Sequence, residues 1–188
     1  MRWFWVDRFT EYVAGSHAVG VKGVALSDEH MHDHWDVYPA MPNSLIAEGM
    51  AQTAGLLVSE IYEFKELVVL AKFTKLSFNG LVRPGDAIEY RAKIGRTMEA
   101  GAQCGVVGVV KDGQGERQQA EAEIFFARLQ PGEQPPAEDP KDQLPSRLFD
   151  PVDLCRWLMT TGIFTVGVHE DGSRMTPADY GLPAPTGQ

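Results

Sequence analysis

The chain has 188 residues, 44% of them hydrophobic and 23% charged, which suits one ordinary domain with a real core and leaves little for a second. Its formal net charge of -9 argues against nucleic acid or an anionic membrane as a general partner, because phosphate binding needs a basic surface. Cys104 and Cys155 are too few and too far apart for a disulfide framework or a structural zinc site, so both are expected as buried thiols in a reducing cytoplasm.

The opening residues Met1 to Arg8 reach charge before a long apolar run develops, so no secretory signal is read there. No stretch is long and apolar enough to span a bilayer. His17 to Ser27 mixes Val19, Val21, Val24 and Leu26 with glycines, which favours a strand. Asp28 to Pro42 reads as a histidine-rich irregular stretch. From Asn43 or Ser44 to about Glu60 the chain reads as a helix capped just after Pro42. Leu45, Ile46, Met50, Ala51, Ala54, Leu57, Val58 and Ile61 spread over nearly all its faces, so this helix belongs inside a protein core.

Leu67 to Leu76 reads as a strand half buried on one face, and Arg83-Pro84-Gly85-Asp86 as a turn. Ala87 to Ile94 alternates cleanly, with Ile88, Tyr90, Ala92 and Ile94 on one side and Glu89, Arg91 and Lys93 on the other. Gln103 to Lys111 and Gln119 to Arg128 continue the pattern across a loop that opens with Asp112-Gly113-Gln114-Gly115, giving an antiparallel meander. Pro131 to Pro145 is rich in Pro, Gln, Glu and Asp and reads as a linker. Beyond it, Asp150-Pro151 starts a short amphipathic helix that stops at Gly162 and is expected to bury Leu154, Trp157 and Leu158. Asp171 to Gln188 is expected to be loosely ordered. The organisation is therefore a core over 1–129, a linker over 130–149 and a carboxy-terminal extension over 150–188.

The chemistry concentrates between His34 and Gln52. A histidine precedes the start of a buried helix, and Glu48 sits one turn inside it. Eliminating water from a 3-hydroxyacyl thioester needs a base for the proton beside the carbonyl and an acid for the departing hydroxyl. N-H groups at the helix start, around Asn43, Ser44 and Leu45, can serve the enolate-like oxygen with the helix dipole behind them. Burial among aliphatic side chains would favour the protonated Glu48 that an acid catalyst requires. Taken singly, a loop histidine is more often a surface residue and a helical glutamate a satisfied buried acid. His30, His32 and His34 alternate, but no Cys or paired carboxylate completes a metal set, so no metal is expected. Gln52 is read chiefly as structural, bonding across the helix or orienting Glu48.

The stretch resembles the bacterial 3-hydroxyacyl-acyl-carrier-protein dehydratases of fatty-acid synthesis, whose pattern is His-Phe-Pro-Gly-x-Pro-x-x-Pro-Gly-x-Leu-x-x-Glu-x-x-x-Gln. His34, Pro39, Pro42, Leu45, Glu48 and Gln52 fall in that register without a gap. Phe4-Trp5-Val6-Asp7-Arg8, Val21-Lys22-Gly23-Val24 and Phe78 to Asp86 are similar to further family segments, so the likeness runs over about residues 2 to 128. It implies an α+β hot-dog fold, a long central helix wrapped by a curved antiparallel sheet, here with a carboxy-terminal helical extension. It also implies a homodimer, or a hexamer, with active sites shared between subunits, the histidine of one facing the acid of the other. His34 is then the base, Glu48 the acid and the Asn43 N-H the oxyanion donor. The substrate is carried on acyl carrier protein or CoA, with no cofactor beyond its own phosphopantetheine. Trp35 stands where the family has a smaller aromatic, Asp36 and Val37 where it has Pro-Gly, and Asn43 where it has Gly. Trp35, Asp36, Pro42 and Gln52 are the residues expected to shape the site, and Asp36 beside His34 would favour the charged imidazole. Two rivals remain: a thioesterase using Glu48 as base toward water, and a non-catalytic module gripping an acyl chain or acyl carrier.

Overall fold

In the computed structural model of the chain, residues 4–33, 38–129 and 150–183 are described. The first hairpin pairs β1 (Arg8–Val13) with β2 (His17–Gly23) through a turn at Gly15, whose φ of 67° is left-handed backbone that favours glycine. A short helix, α1 (Glu29–Asp33), interrupts the stretch expected to be irregular. Then comes α2 (Asn43–Ile61), followed by the long strands β3 (Leu67–Phe78), β4 (Ala87–Met98), β5 (Gly101–Asp112) and β6 (Gly115–Leu129).

The strands form one sheet in the order β3-β6-β5-β4-β2-β1-β7, where β7 (Gly167–Val168) is a two-residue strand lying parallel to β1. Every other neighbouring pair is antiparallel. Register shifts interrupt the β3–β6, β4–β5 and β5–β6 ladders. Irregularities of this kind bend and twist a strand locally, and this curved sheet wraps α2, which packs on β2 through β6.

Alternation explains the core. On β4, Ile88, Tyr90 and Ala92 are buried while Lys93, one step on, is exposed. They meet Ile46, Met50, Ala54 and Leu57 of α2, all fully enclosed. The helix comes this close because its facing residues are small. A Cβ built on Gly49 would overlap the Tyr90 ring, and one on Gly20 would lie 2.7 Å from Thr53 Oγ1.

The turn over 83–86 forms as its sequence requires: Asp86 N-H donates to the Arg83 carbonyl at 3.0 Å, Asp86 Oδ2 accepts from Arg83 N-H at 2.9 Å, and Gly85 takes φ 94°. The expected helix after the linker is α3 (Pro151–Thr160), with Asp150 Oδ1 accepting from Val152 N-H at 2.9 Å as a side-chain N-cap. Leu154, Trp157 and Leu158 are buried as expected, whereas Val152 and Met159 are exposed. Cys104 and Cys155 are both buried free thiols, and burial pushes the Cys104 thiol up to about 12.

The tail departs from expectation. After α4 (Ile163–Val166) and β7, residues up to Pro183 are placed, with a capped 3-10 turn over Pro177–Tyr180. Tyr180 and Leu182 are buried, and the Tyr180 hydroxyl donates to Glu60 Oε1 at 2.8 Å. Composition suggested loose ends, but Tyr180 against the end of α2, the buried Met175 and Leu182, and the hydrogen bond from Cys155 Sγ to the Pro183 carbonyl hold the segment in place. Further ties come from Phe9 N-H to the Thr161 carbonyl at 2.7 Å and Ala14 N-H to the Val168 carbonyl at 2.9 Å. The expected linker over 130–149 lies outside the described residues. No described helix is long and apolar enough to cross a membrane.

Candidate active site

The entry to α2 is fixed before the helix begins. Met41 is buried and its N-H donates to the Val82 carbonyl at 2.9 Å, anchoring the chain beside the 83–86 turn. Pro42, not Asn43 or Ser44, is the N-cap residue, with φ -57° and ψ 138°, and no side chain caps the helix. The reason is steric: an extended proline sets the helix direction and offers its own carbonyl to Leu45 and Ile46 N-H at 3.0 and 3.2 Å. Leu45 is thereby removed from the expected donor group. Asn43 and Ser44 are exposed, and among the described residues their N-H groups make no hydrogen bond, so both point to the favourable end of the helix dipole with capacity to spare.

Glu48 lies one turn further on. The enclosure expected for it is not found within the single chain, where Glu48 is exposed, because the aliphatic residues of α2 turn toward the sheet and leave this side open. Its carboxylate is nevertheless held: Gln52 Nε2 donates to Glu48 Oε1 at 2.8 Å. Gln52 is itself placed by the amino-terminal segment, since its Oε1 accepts the Trp5 N-H at 2.8 Å. The expected link between Gln52 and Glu48 is thus present, through an amide fixed at both ends.

Both residues line a cavity of about 610 Å³ that runs along the open side of α2. Ala51, Gly55 and Ser59 continue it along the helix, and Val68 and Leu70 of β3 with Phe126 of β6 form one bank. Phe4 and Trp157 form the other, their rings stacked at 3.9 Å between centroids, and Asp150 and Asp153 stand on its rim. The sequence reading missed these last four residues as site residues. The signal was the i, i+3, i+7 spacing of Asp150, Asp153 and Trp157, which marks one face of a helix, but nothing in it said what that face would meet. His34, Trp35 and Asp36 lie outside the described residues. The segment after them returns at Tyr38, whose exposed ring sits under the Arg83 guanidinium at 5.2 Å.

A long helix wrapped by a curved antiparallel sheet, in this strand order, defines a hot-dog protein. Solved structures share that fold at low identity. A mutant acyl-CoA hydrolase from Staphylococcus aureus in complex with coenzyme A aligns with a TM-score of 0.52 and 15% identity over 64% of this chain and 68% of its own. Cj0977, a sigma28-regulated virulence protein from Campylobacter jejuni, aligns with a TM-score of 0.53 and 17% identity over 69% and 88%.

Sequence narrows the class further. Residues 4–118 match the FabA-like domain model, and the chain belongs to that family. It is 40% identical over 84 residues to a 3-hydroxyacyl-[acyl-carrier-protein] dehydratase FabZ from Caldanaerobacter subterraneus subsp. tengcongensis, a match spanning 44% of this chain and 60% of the relative. A protein of the same name from Ruminiclostridium cellulolyticum is 34% identical over 123 residues, 65% of this chain and 84% of the relative.

Proposed function

We propose that the chain dehydrates a (3R)-hydroxyacyl thioester to the trans-2-enoyl thioester in acyl-chain synthesis. The observation that carries this reading is Glu48 at the head of an apolar groove, its carboxylate aimed by an amide that the fold fixes at both ends. His34 removes the proton at C2 of the substrate, the electrons of that C-H bond form the C2-C3 double bond, and the C3-O bond breaks as Glu48 protonates the leaving hydroxyl to give water. The Asn43 N-H, at the positive end of α2, takes the charge that develops on the thioester oxygen. Trp35, Asp36 and Pro42 shape the approach. The reaction needs no cofactor beyond the phosphopantetheine that the substrate carries from acyl carrier protein or CoA. Two buried free thiols suit a reducing compartment, and we assign the enzyme to the cytoplasm.

The exposure of Glu48 supports a dimer with shared sites. β3 is an edge strand on which Leu70 and Leu76 remain exposed, and an unpaired edge with apolar side chains is a ready surface for another strand. Pairing there would bring a second subunit toward the open side of α2, and the family resemblance assigns the histidine that faces Glu48 to that subunit.

One experiment tests reaction and partnership together. His34→Ala and Glu48→Gln should each abolish formation of enoyl absorbance from 3-hydroxybutyryl or longer thioesters. Mixing the two inactive variants under conditions that exchange subunits should restore activity, because one site of each mixed dimer keeps an intact histidine and an intact acid. Full activity in either single variant would overturn the mechanism, and mixing without recovery would overturn the shared site. Release of free thiol without enoyl product would indicate a thioesterase.

A further inference from the structure

We infer that α3 of the carboxy-terminal extension determines which acyl chains the groove admits, with Trp157, braced by Phe4, as the residue that sets its width. This rests on the dehydratase reading for the identity of the ligand, but the wall itself is an observation about the fold.

The groove starts at the proposed acid and runs to Ser59 along α2, about 16 Å at ~1.5 Å per residue. Its lining divides by chemistry. Glu48 and Gln52 lie at the head; beyond them the floor is Ala51, Gly55 and Leu56, and the inner bank is Val68, Leu70 and Phe126. A ligand that fits such a lining has a polar reacting head and an uncharged tail, which describes a 3-hydroxyacyl thioester whose C3 hydroxyl reaches Glu48 and whose chain lies over the floor. Gly55 keeps that floor low: a Cβ there would already come within 3.2 Å of the Phe126 ring.

The outer bank has a different origin. Trp157 comes from α3 and stacks on Phe4 at 3.9 Å with 21° between the ring planes, while Asp150 and Asp153 project from the same helix face at the rim. Phe4 lies inside the family match, which covers residues 4–118, but Asp150, Asp153 and Trp157 lie beyond it, so the share of this bank that α3 supplies comes from residues outside the match. Its position is not loose. Leu154 and Leu158 bury the other side of α3, Cys155 Sγ donates to the Pro183 carbonyl at 3.2 Å, and Tyr180 ties the segment to Glu60 at the far end of α2. A fixed aromatic bank restricts a groove because an added methylene either finds room or displaces packed atoms, a difference of about 10–200-fold in kcat/KM.

The test uses the full chain with two substitutions of opposite effect, Trp157→Ala to remove the bank and Asp153→Trp to thicken it. Each is assayed with 3-hydroxyacyl thioesters of four to sixteen carbons, and binding of saturated acyl-pantetheines of the same lengths is measured by calorimetry. Trp157→Ala should move the ratio of kcat/KM for long over short chains upward by about tenfold or more, Asp153→Trp should move it downward, and the calorimetric affinities should follow. Parallel length profiles in all three proteins, each folded by circular dichroism, would overturn the proposal. Absence of turnover by the wild-type protein would count against the dehydratase reading alone, since the binding series still reports whether α3 selects chain length.

Discussion

Gln52 holds Glu48 by a 2.8 Å hydrogen bond from its amide Nε2 to Oε1, one turn along the same helix. The same amide accepts the Trp5 N-H, so the rotamer of the proposed acid is set by the amino-terminal segment of the chain. Misplacing a reacting group by about 1 Å can cost on the order of 100-fold, and this loss falls chiefly on the chemical step. Gln52→Ala should therefore lower kcat by about 10–100-fold with a much smaller change in KM, measured by steady-state formation of the enoyl product. A loss confined to KM would show that Gln52 binds substrate and does not position Glu48.

The close approach of α2 to the sheet at Gly49 makes a second prediction. Gly49→Ala places a methyl against the buried Tyr90 ring, and overpacking of this kind costs about 1–3 kcal/mol. The helix should shift outward and take its neighbour Glu48 with it, so activity should fall more steeply than stability. Tyr90→Leu combined with Gly49→Ala should be less destabilised than the sum of the two single changes, because the residues share one space. Denaturant midpoints of the four proteins measure this.

The extension is tied to the core through Glu60. This buried carboxylate accepts the Tyr180 hydroxyl at 2.8 Å and the Gly15 N-H at 2.8 Å. Tyr180→Phe leaves the ring contact with Phe64 but removes one donor from a buried charge, a cost of about 1.5–3 kcal/mol. The melting temperature should fall by roughly 3–12 °C at ~2–4 °C per kcal/mol. Limited proteolysis should then cut the segment after α4 sooner than in the wild-type protein.

Glu66 supplies a pH-dependent prediction. The Arg128 guanidinium donates to it as a fork, Nη2 to Oε1 at 2.6 Å and Nε to Oε2, and this hydrogen bonding holds the Glu66 carboxyl below its ordinary range. A carboxylate depressed in the folded state contributes stability that is complete above its unfolded value, near ~4.3, and is lost as the pH falls through the lower folded value. Arg128→Leu should remove that contribution at neutral pH and flatten the decline in acid. Urea midpoints followed from neutral pH down to about 3 check it: a variant whose midpoint falls with acid as steeply as the wild type would place the acid-sensitive group elsewhere.

The bounds of α2 and α3 and the start of β4 were legible because period and punctuation act locally: alternation from Ile88 to Ile94 marks one buried face of a strand, and Asp150-Pro151 opens a helix, while the continuation of β4 to Met98 beyond the alternating run was not. The register of Pro39, Pro42, Leu45, Glu48 and Gln52 likewise identified the candidate site in one dimension. That register said where the proposed acid lies along the chain and nothing of its surroundings. Exposure depends on which other elements arrive, and the sheet covers the side of α2 that carries Ile46 and Leu57 while leaving Glu48 open. The cap fell on Pro42, whose extended backbone opens the helix and whose carbonyl takes the Leu45 and Ile46 N-H groups, despite the intrinsic preference of Asn or Ser for that position.

In the sequence by itself, a motif resemblance implied the hot-dog family, and local order along the chain determined the placement of a glutamate and glutamine one turn apart at the start of the central helix. Only the tertiary structure decided that Trp5 aims Gln52, that Tyr180 reaches Glu60 across most of the chain, and that Trp157 stacks on Phe4 to bank the groove. Those contacts join residues far apart in sequence. Their partners are chosen by the packing of the whole chain, which no local pattern records.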